Sequence, residues 1–261
     1  LGDVYKRQVD MVGITRHCVK HNFLVKHVDG LADTIKKAFY LARTGRPGPV
    51  VIDVAKDVTQ ALHKFCYPQE QPFIRSYQPI IHAHKGQIKK AVQLFALAKR
   101  PVVFFGGGIV LANAEEELRH WIQLTGVPCV SSLMGLGAYP ASHPQFLGMV
   151  GMHGTYEANM AMQQADVVLA LGVRFDDRVI SVPEKYLATA KKIIHIDVDP
   201  SSIAKRVPVD VPIVGDIKLA LQTMTHQWEE KQLILDHKGL QCWWEGIEPV
   251  SYTHLRAHET V

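Results

Sequence analysis

From Lys85 to Glu230, short apolar runs that end in glycine or aspartate alternate with stretches of helical period. This alternation constrains the fold more than any other feature of the chain. Residues 101–105 (PVVFF) run into Gly106-Gly107-Gly108, and 127–130 (VPCV) lead to a loop of Gly, Pro and His after Met134-Gly135-Leu136-Gly137. Residues 166–171 (DVVLAL) end at Gly172, 192–196 (KIIHI) end at Asp197, and 211–214 (VPIV) form the last run. Between these strands the spacing predicts helices over GQIKKAVQLFALAKR, over 112–124, over 155–164, briefly from Ile203, and over 216–230. Strands this apolar are buried on both faces, and strands separated by helices form a parallel sheet covered on both sides. The fold class expected is therefore α/β: a doubly wound parallel sheet over 85–230, preceded by an incomplete α/β piece.

That piece spans 9–57. Residues 30–43 place Leu31, Ile35, Ala38, Phe39 and Ala42 on one helical stripe. The turn Thr44-Gly45-Arg46-Pro47-Gly48-Pro49 stops the helix, with Gly45 as the expected C-terminal cap, and VVIDV at 50–54 is a buried strand. Nothing earlier in the sequence reads as a partner strand, so 9–57 is expected to be the tail of an upstream domain. Pro68, Pro72 and Pro79 punctuate an aperiodic linker over 58–84, and a second linker is expected to begin over 231–249. The first eight residues (LGDVYKRQ) and 250–261 (VSYTHLRAHETV) lack either period and resemble translated adaptor or assembly sequence.

Composition narrows the function classes. Of 261 residues 47% are hydrophobic and 21% charged, enough apolar material for a large core and too much for a disordered chain. No apolar run approaches the ~18 residues of a membrane span. The net charge of +4 comes with basic residues in runs no longer than a pair, which argues against a nucleic-acid partner. Four scattered cysteines suit a reducing compartment, with Cys129 a small apolar strand residue. No His, Cys, Asp or Glu cluster has metal-ligand spacing, and no carboxylate or histidine sits where acid–base chemistry is demanded. No catalytic residue and no metal site is expected in this stretch of chain, which reads as a cofactor holder.

In an open parallel sheet, ligands sit beyond the carboxyl ends of the strands. Four loops leave strands there: 106–108, 131–137, 172–178 and 197–200. Glycine allows a phosphate to approach backbone amides closely. Asp197, just past a strand, is the residue type that accepts from ribose hydroxyls, and Arg46 and Arg174 could neutralise phosphates. Against this, a tight strand-to-helix turn needs glycine anyway, the Arg174–Arg178 run could be a solvated charged loop, and no G-x-G-x-x-G is present.

At these residues a resemblance emerges. The segments TGRPGPVVIDVAKDV, KRPVVFFGGGIV, SSLMGLGAYP, GMVGMHGTYEANMAMQQADVVLALGVRFDDR and IIHIDVDPSSI, with VPIVGD, are similar to the large, catalytic subunits of the acetolactate synthase family, thiamine-diphosphate enzymes, over about 9–249. The resemblance implies the end of a pyrimidine-binding domain, a linker, and a whole Rossmann-like central domain that binds FAD as a structural group. It also implies the residues that contact FAD. These are Arg46; Gly106, Gly107 and Gly108; Leu133 and Met134; Gly151, Met152 and His153; Gly172, Val173, Arg174, Asp176 and Arg178; Asp197 and Val198; and Gly215 and Asp216. Met152 and Arg178 also resemble residues near the family's substrate channel. The parent reaction implied is decarboxylation of pyruvate on thiamine diphosphate with Mg2+, then addition to pyruvate or 2-oxobutyrate, in a homodimer with a regulatory small subunit in the bacterial cytoplasm. The activating glutamate and the magnesium motif belong to other parts of the family's chain, so this stretch alone is expected to be inactive. The central domain of a sister thiamine-diphosphate carboligase or decarboxylase, and a nucleotide-binding module without catalysis, are the alternative readings.

Overall fold

The computed structural model describes residues 9–189 and 191–258, with side-chain surroundings as far as Ile247. The adaptor-like reading of 1–8 therefore lies outside the described residues, as do the last three residues of 250–261. The chain divides into two compact units, Leu1–Pro79 and Ile80–Val261.

In the first unit, α1 (Met11–Thr15) precedes β1 (His21–Val25), and α2 (Leu31–Arg43) leads to β2 (Val50–Val54) and a short α3 (Lys56–Gln60). The strands pair in parallel, His21 opposite Val50 through Val25 opposite Val54. Val50–Val54 thus has a partner within the chain, which corrects the expectation of an unpaired strand. HNFLV carries no strand signal of its own, because its first two residues are polar and no apolar/polar alternation holds over five residues. Helix α2 ends where predicted, but Thr44 is the capping residue, and Gly45 takes the left-handed turn beyond it (φ +56°). Lys20 secures this corner: its ammonium donates to the carbonyls of Leu41 and Thr44 and to the Tyr77 hydroxyl.

The second unit is built on β3 (Pro101–Phe105), β4 (Cys129–Ser131), β5 (Phe146–Met149), β6 (Val167–Leu171), β7 (Lys192–Asp197) and β8 (Val211–Val214). These form one six-stranded sheet in the order β5-β4-β3-β6-β7-β8, every pair parallel. Alternate side chains of each strand enter opposite cores, as a pleated strand requires. Val103, Phe105, Leu169, Leu171, Ile194 and Ile196 pack with α4 (Lys85–Ala96), α6 (Glu115–Thr125) and α9 (Ile217–Glu230). Val102, Phe104, Val168, Ala170 and Ile193 pack with α7 (Tyr156–Gln164), with Tyr186 of the short α8 (Pro183–Leu187), and with Trp243 and Ile247 of α10 (His237–His258).

Four local expectations change. Strand β5 forms in a stretch read as loop. The helix expected over 112–124 begins only at Glu115, as α6, after the left-handed Asn113 (φ +49°), and a separate short helix α5 (Gly107–Leu111) forms in the residues before it. No helix starts at Ile203: the Asp199 carboxylate accepts from Ser201 N–H and from both hydroxyls of Ser201 and Ser202, and Ala204 has φ +56°. Such side-chain-to-backbone bonds compete directly with helix formation. Finally, much of 231–249 is not a bare linker. Helix α10 crosses it and continues to His258, held by the Trp243 indole N–H on the Pro101 carbonyl (3.1 Å) and the Trp244 indole N–H on the Gly126 carbonyl (3.0 Å). Among the described residues no helix is long and apolar enough to cross a membrane.

Candidate cofactor site

All six strands run the same way, so the loops singled out in the sequence emerge on one edge of the sheet. The chain leaves β3 toward β4 on one side and leaves β6 toward β7 on the other. The boundary between β3 and β6 is therefore the topological switch point, where such sheets open a crevice for ligands.

The floor of that crevice is backbone. Gly106 N–H donates to the Leu171 carbonyl at 3.0 Å, and Gly108 N–H donates to the Gly172 carbonyl at 3.2 Å. A Cβ on Gly106 would lie 2.7 Å from the Gly172 oxygen, and one on Gly108 would lie 2.5 Å from the Gly172 Cα. Gly106, Gly108 and Gly172 are thus required first by the interlock of two turns, the plainer of the two readings open from the sequence. Gly107 faces the other way, onto Met134, where a Cβ would come within 3.0 Å of the Met134 Cβ. Gly108→Ala should lower unfolding stability by about 1–3 kcal/mol, the usual cost of overpacking a rigid contact. A urea midpoint equal to wild type would show that the interlock can relax.

The rim is side chain. The turn after β4 begins with Ser132 N–H on the Phe105 carbonyl and carries Leu133 and Met134, 67% and 74% exposed. The turn after β5 contains Gly151 at φ +108°, then Met152, 66% exposed, and His153, also exposed. Gly151 packs directly on the Arg178 carbonyl, and Met152 N–H donates to that same oxygen at 3.0 Å. The structure therefore joins the 151–153 and 172–178 segments, which are distant in sequence.

The loop after β6 alternates inward and outward. Val173 and Phe175 are buried, while Arg174 and Arg178 are exposed. Phe175 is left-handed (φ +48°) and lies among Phe104, Tyr186 and His195 with ring centroids 5.5, 6.5 and 5.3 Å away. The Asp176 carboxylate accepts Val179 N–H at 3.2 Å and stands 3.9 Å from the Arg174 guanidinium. Beneath the loop, fully buried His195 on β7 places Nε2 2.8 Å from the Val173 carbonyl. A carbonyl only accepts, so Nε2 carries the proton, and the buried Nδ1 has no hydrogen-bond partner. Burial pushes the His195 pKa down to about 4, only partly offset by the bond to Val173. His195 is thus neutral near pH 7.

At the end of β7, Asp197 is buried and accepts Asp199 N–H at 2.8 Å, with Val198 half-buried beside it. Gly215 N–H donates to the Asp197 carbonyl, joining β8 to this corner. The Asp216 carboxylate caps α9 by accepting Leu219 N–H at 3.0 Å. Arg46 belongs to the first unit, in the turn between α2 and β2. Burial raises the Cys129 thiol far above its ordinary range, leaving it inert. Among the described residues no group of three or more His, Cys, Asp or Glu side chains could hold a metal ion.

Two residues that shape this edge were not singled out as site residues from the sequence, His195 and Asn159. Both act on backbone carbonyls through tertiary contacts. The available hints were a histidine inside an apolar strand (KIIHID) and an amide eight residues after Gly151.

The chemistry of the edge fits a dinucleotide such as FAD. Two exposed guanidiniums suit phosphates, a buried carboxylate past a strand suits hydroxyls, and three uncovered apolar side chains suit a flat ring system. The sheet order, which is 3-2-1-4-5-6 when the strands are renumbered from β3, is that of the doubly wound dinucleotide-binding class. Within that class, residues 88–224 match the family described as "Thiamine pyrophosphate enzyme, central domain", and the chain belongs to that family. The chain is 50% identical over 244 residues to the acetolactate synthase large subunit of Haemophilus influenzae, covering 92% of this chain and 42% of that protein. It is 48% identical over 243 residues to the isozyme 3 large subunit of Escherichia coli K12 (93% and 42%). It is 41% identical over 248 residues to the acetolactate synthase of Mycobacterium leprae (95% and 39%). The chain thus spans about two-fifths of the length of these curated relatives.

Proposed function

We propose that this chain is the segment of an acetolactate synthase large subunit that holds FAD as a structural group. The parent enzyme would decarboxylate pyruvate on thiamine diphosphate with Mg2+ and join the two-carbon unit to pyruvate or 2-oxobutyrate, in branched-chain amino-acid synthesis. The observation that carries this reading is the 48–50% identity to acetolactate synthase large subunits over more than nine-tenths of the chain. The site chemistry supports the flavin part of the reading. Arg174 and Arg178 would face the pyrophosphate, Asp197 a ribose, and Leu133, Met134 and Met152 the ring system, with Arg46 and the remaining contacts assigned by resemblance. In the parent, a homodimer with a regulatory small subunit in the bacterial cytoplasm is part of the same proposal.

In this reading the bound flavin supplies rigidity and surface, with no net redox role, and no residue of this chain serves as catalytic acid, base or metal ligand. Titration of the 261-residue chain with FAD should quench flavin fluorescence saturably, with a yellow band that survives gel filtration. Flavin that elutes entirely free of protein would overturn the assignment. No acetolactate should form when the same chain receives pyruvate, thiamine diphosphate and Mg2+, and turnover would refute the division of labour proposed here.

A further inference from the structure

Gly151 stands at the base of the turn that presents Met152 and His153, and its backbone conformation (φ +108°) is open to glycine but rarely to other residues. Gly154 N–H closes the turn on the Gly151 carbonyl at 3.0 Å, and the one side chain that bonds both backbone groups of Gly151 is Asn159. Asn159 Oδ1 accepts Gly151 N–H at 2.9 Å, and Asn159 Nδ2 donates to the Gly151 carbonyl at 3.0 Å. The same Nδ2 donates to the Thr155 carbonyl at 3.0 Å. Two carbonyls on one side and an N–H on the other leave the amide one orientation only.

The arm carrying this amide is itself fixed. Asn159 lies in the first turns of α7, whose N-cap Thr155 accepts Ala158 N–H through Oγ1 and donates from the same hydroxyl to the Leu147 carbonyl of β5 at 2.7 Å. The far side of the turn is tied by Met152 N–H on the Arg178 carbonyl. Both polar groups of one glycine, the helix start and the neighbouring arginine loop are thereby locked into one arrangement.

We propose that Asn159 is a positioning residue for the cofactor. By pairing with both backbone groups of Gly151 it sets the Gly151–His153 turn, and through the Arg178 carbonyl it sets the height of the arginine loop, before flavin arrives. The inference rests on the FAD reading above. Only a primary amide presents a donor and an acceptor side by side in one plane without charge. Asn159→Asp keeps the size and the acceptor but turns a carboxylate toward two carbonyl oxygens. Asn159→Ala removes both bonds to Gly151 and the one to Thr155.

The test uses the whole chain, labelled with 15N-glycine, and FAD as the probe. Wild type should bind FAD, and both variants should bind at least tenfold more weakly. In the unliganded Asn159→Ala protein, amide exchange at Gly151 should accelerate at least tenfold, while Gly106 and Gly108 keep their protection. A residue that merely stabilised the fold would lower protection at all three glycines together, and that result would overturn the proposal. So would wild-type FAD affinity in Asn159→Asp, the variant that decides should Asn159→Ala fail to fold. If wild type itself binds no FAD, the FAD reading falls and this inference with it. If wild type binds and the variants bind equally well, only the inference falls.

Discussion

Acidification from pH 7 to pH 4 is expected to remove about 3 kcal/mol of stability from the sheet unit through His195 alone. The folded-state pKa of about 4 lies below the ordinary 6.5, so the unfolded chain takes up this proton first. The contribution is complete above pH 6.5, and it is lost progressively as pH falls toward 4. The cause is physical: a protonated Nδ1 would need an acceptor in a place where none is bonded to it, inside a fully buried pocket. Urea midpoints measured at pH 7, 5.5 and 4 in wild type and in His195→Gln will check this. The glutamine variant should lose the His195 share of the pH slope. Equal slopes in the two proteins would show that His195 is not the titrating group.

Trp243→Ala should cost about 3–5 kcal/mol of stability, the usual range for truncating a buried aromatic ring. The indole is buried in the core cluster that includes Val102 and Val168, and its N–H is bonded to the Pro101 carbonyl at the start of β3. Trp243→Phe retains most of the ring and removes the bond, so its loss should be nearer 1–2 kcal/mol, much of it from the stranded carbonyl. Both are read from urea unfolding followed by far-ultraviolet circular dichroism. A midpoint for Trp243→Ala within experimental error of wild type would mean that α10 does not contribute to this core.

The sheet unit was readable where burial is two-sided. PVVFF and VVLAL are continuous apolar runs because both faces of β3 and β6 are covered, and α7 and α9 begin at Thr155 and Asp216, recognisable caps. Legibility failed where elements are short or where side-chain chemistry is local. HNFLV and FLGM are too brief to show a period, and the Asp199 turn overrides the helical spacing after Ile203. In 237–247 the apolar stripe of α10 is broken by charges and polar residues, and only the docked tryptophans reveal its role. Of the candidate site, the strand-end loops were readable from topology alone. Their mutual contacts were not, because Gly108 on Gly172, Gly151 on Arg178 and His195 under Val173 are pairings across long stretches of chain. Likewise, the glycine triplet looked like a phosphate cradle, and much of its necessity proves to be backbone interlock.

That interlock separates what can vary from what cannot. The glycines at 106, 108 and 172 leave no room for even one added carbon, whereas Leu133, Met134, Met152, Arg174 and Arg178 project outward with space around them. Under the FAD reading proposed above, coenzyme preference would be retuned at five adjustable positions that stand on a foundation where each added carbon costs stability.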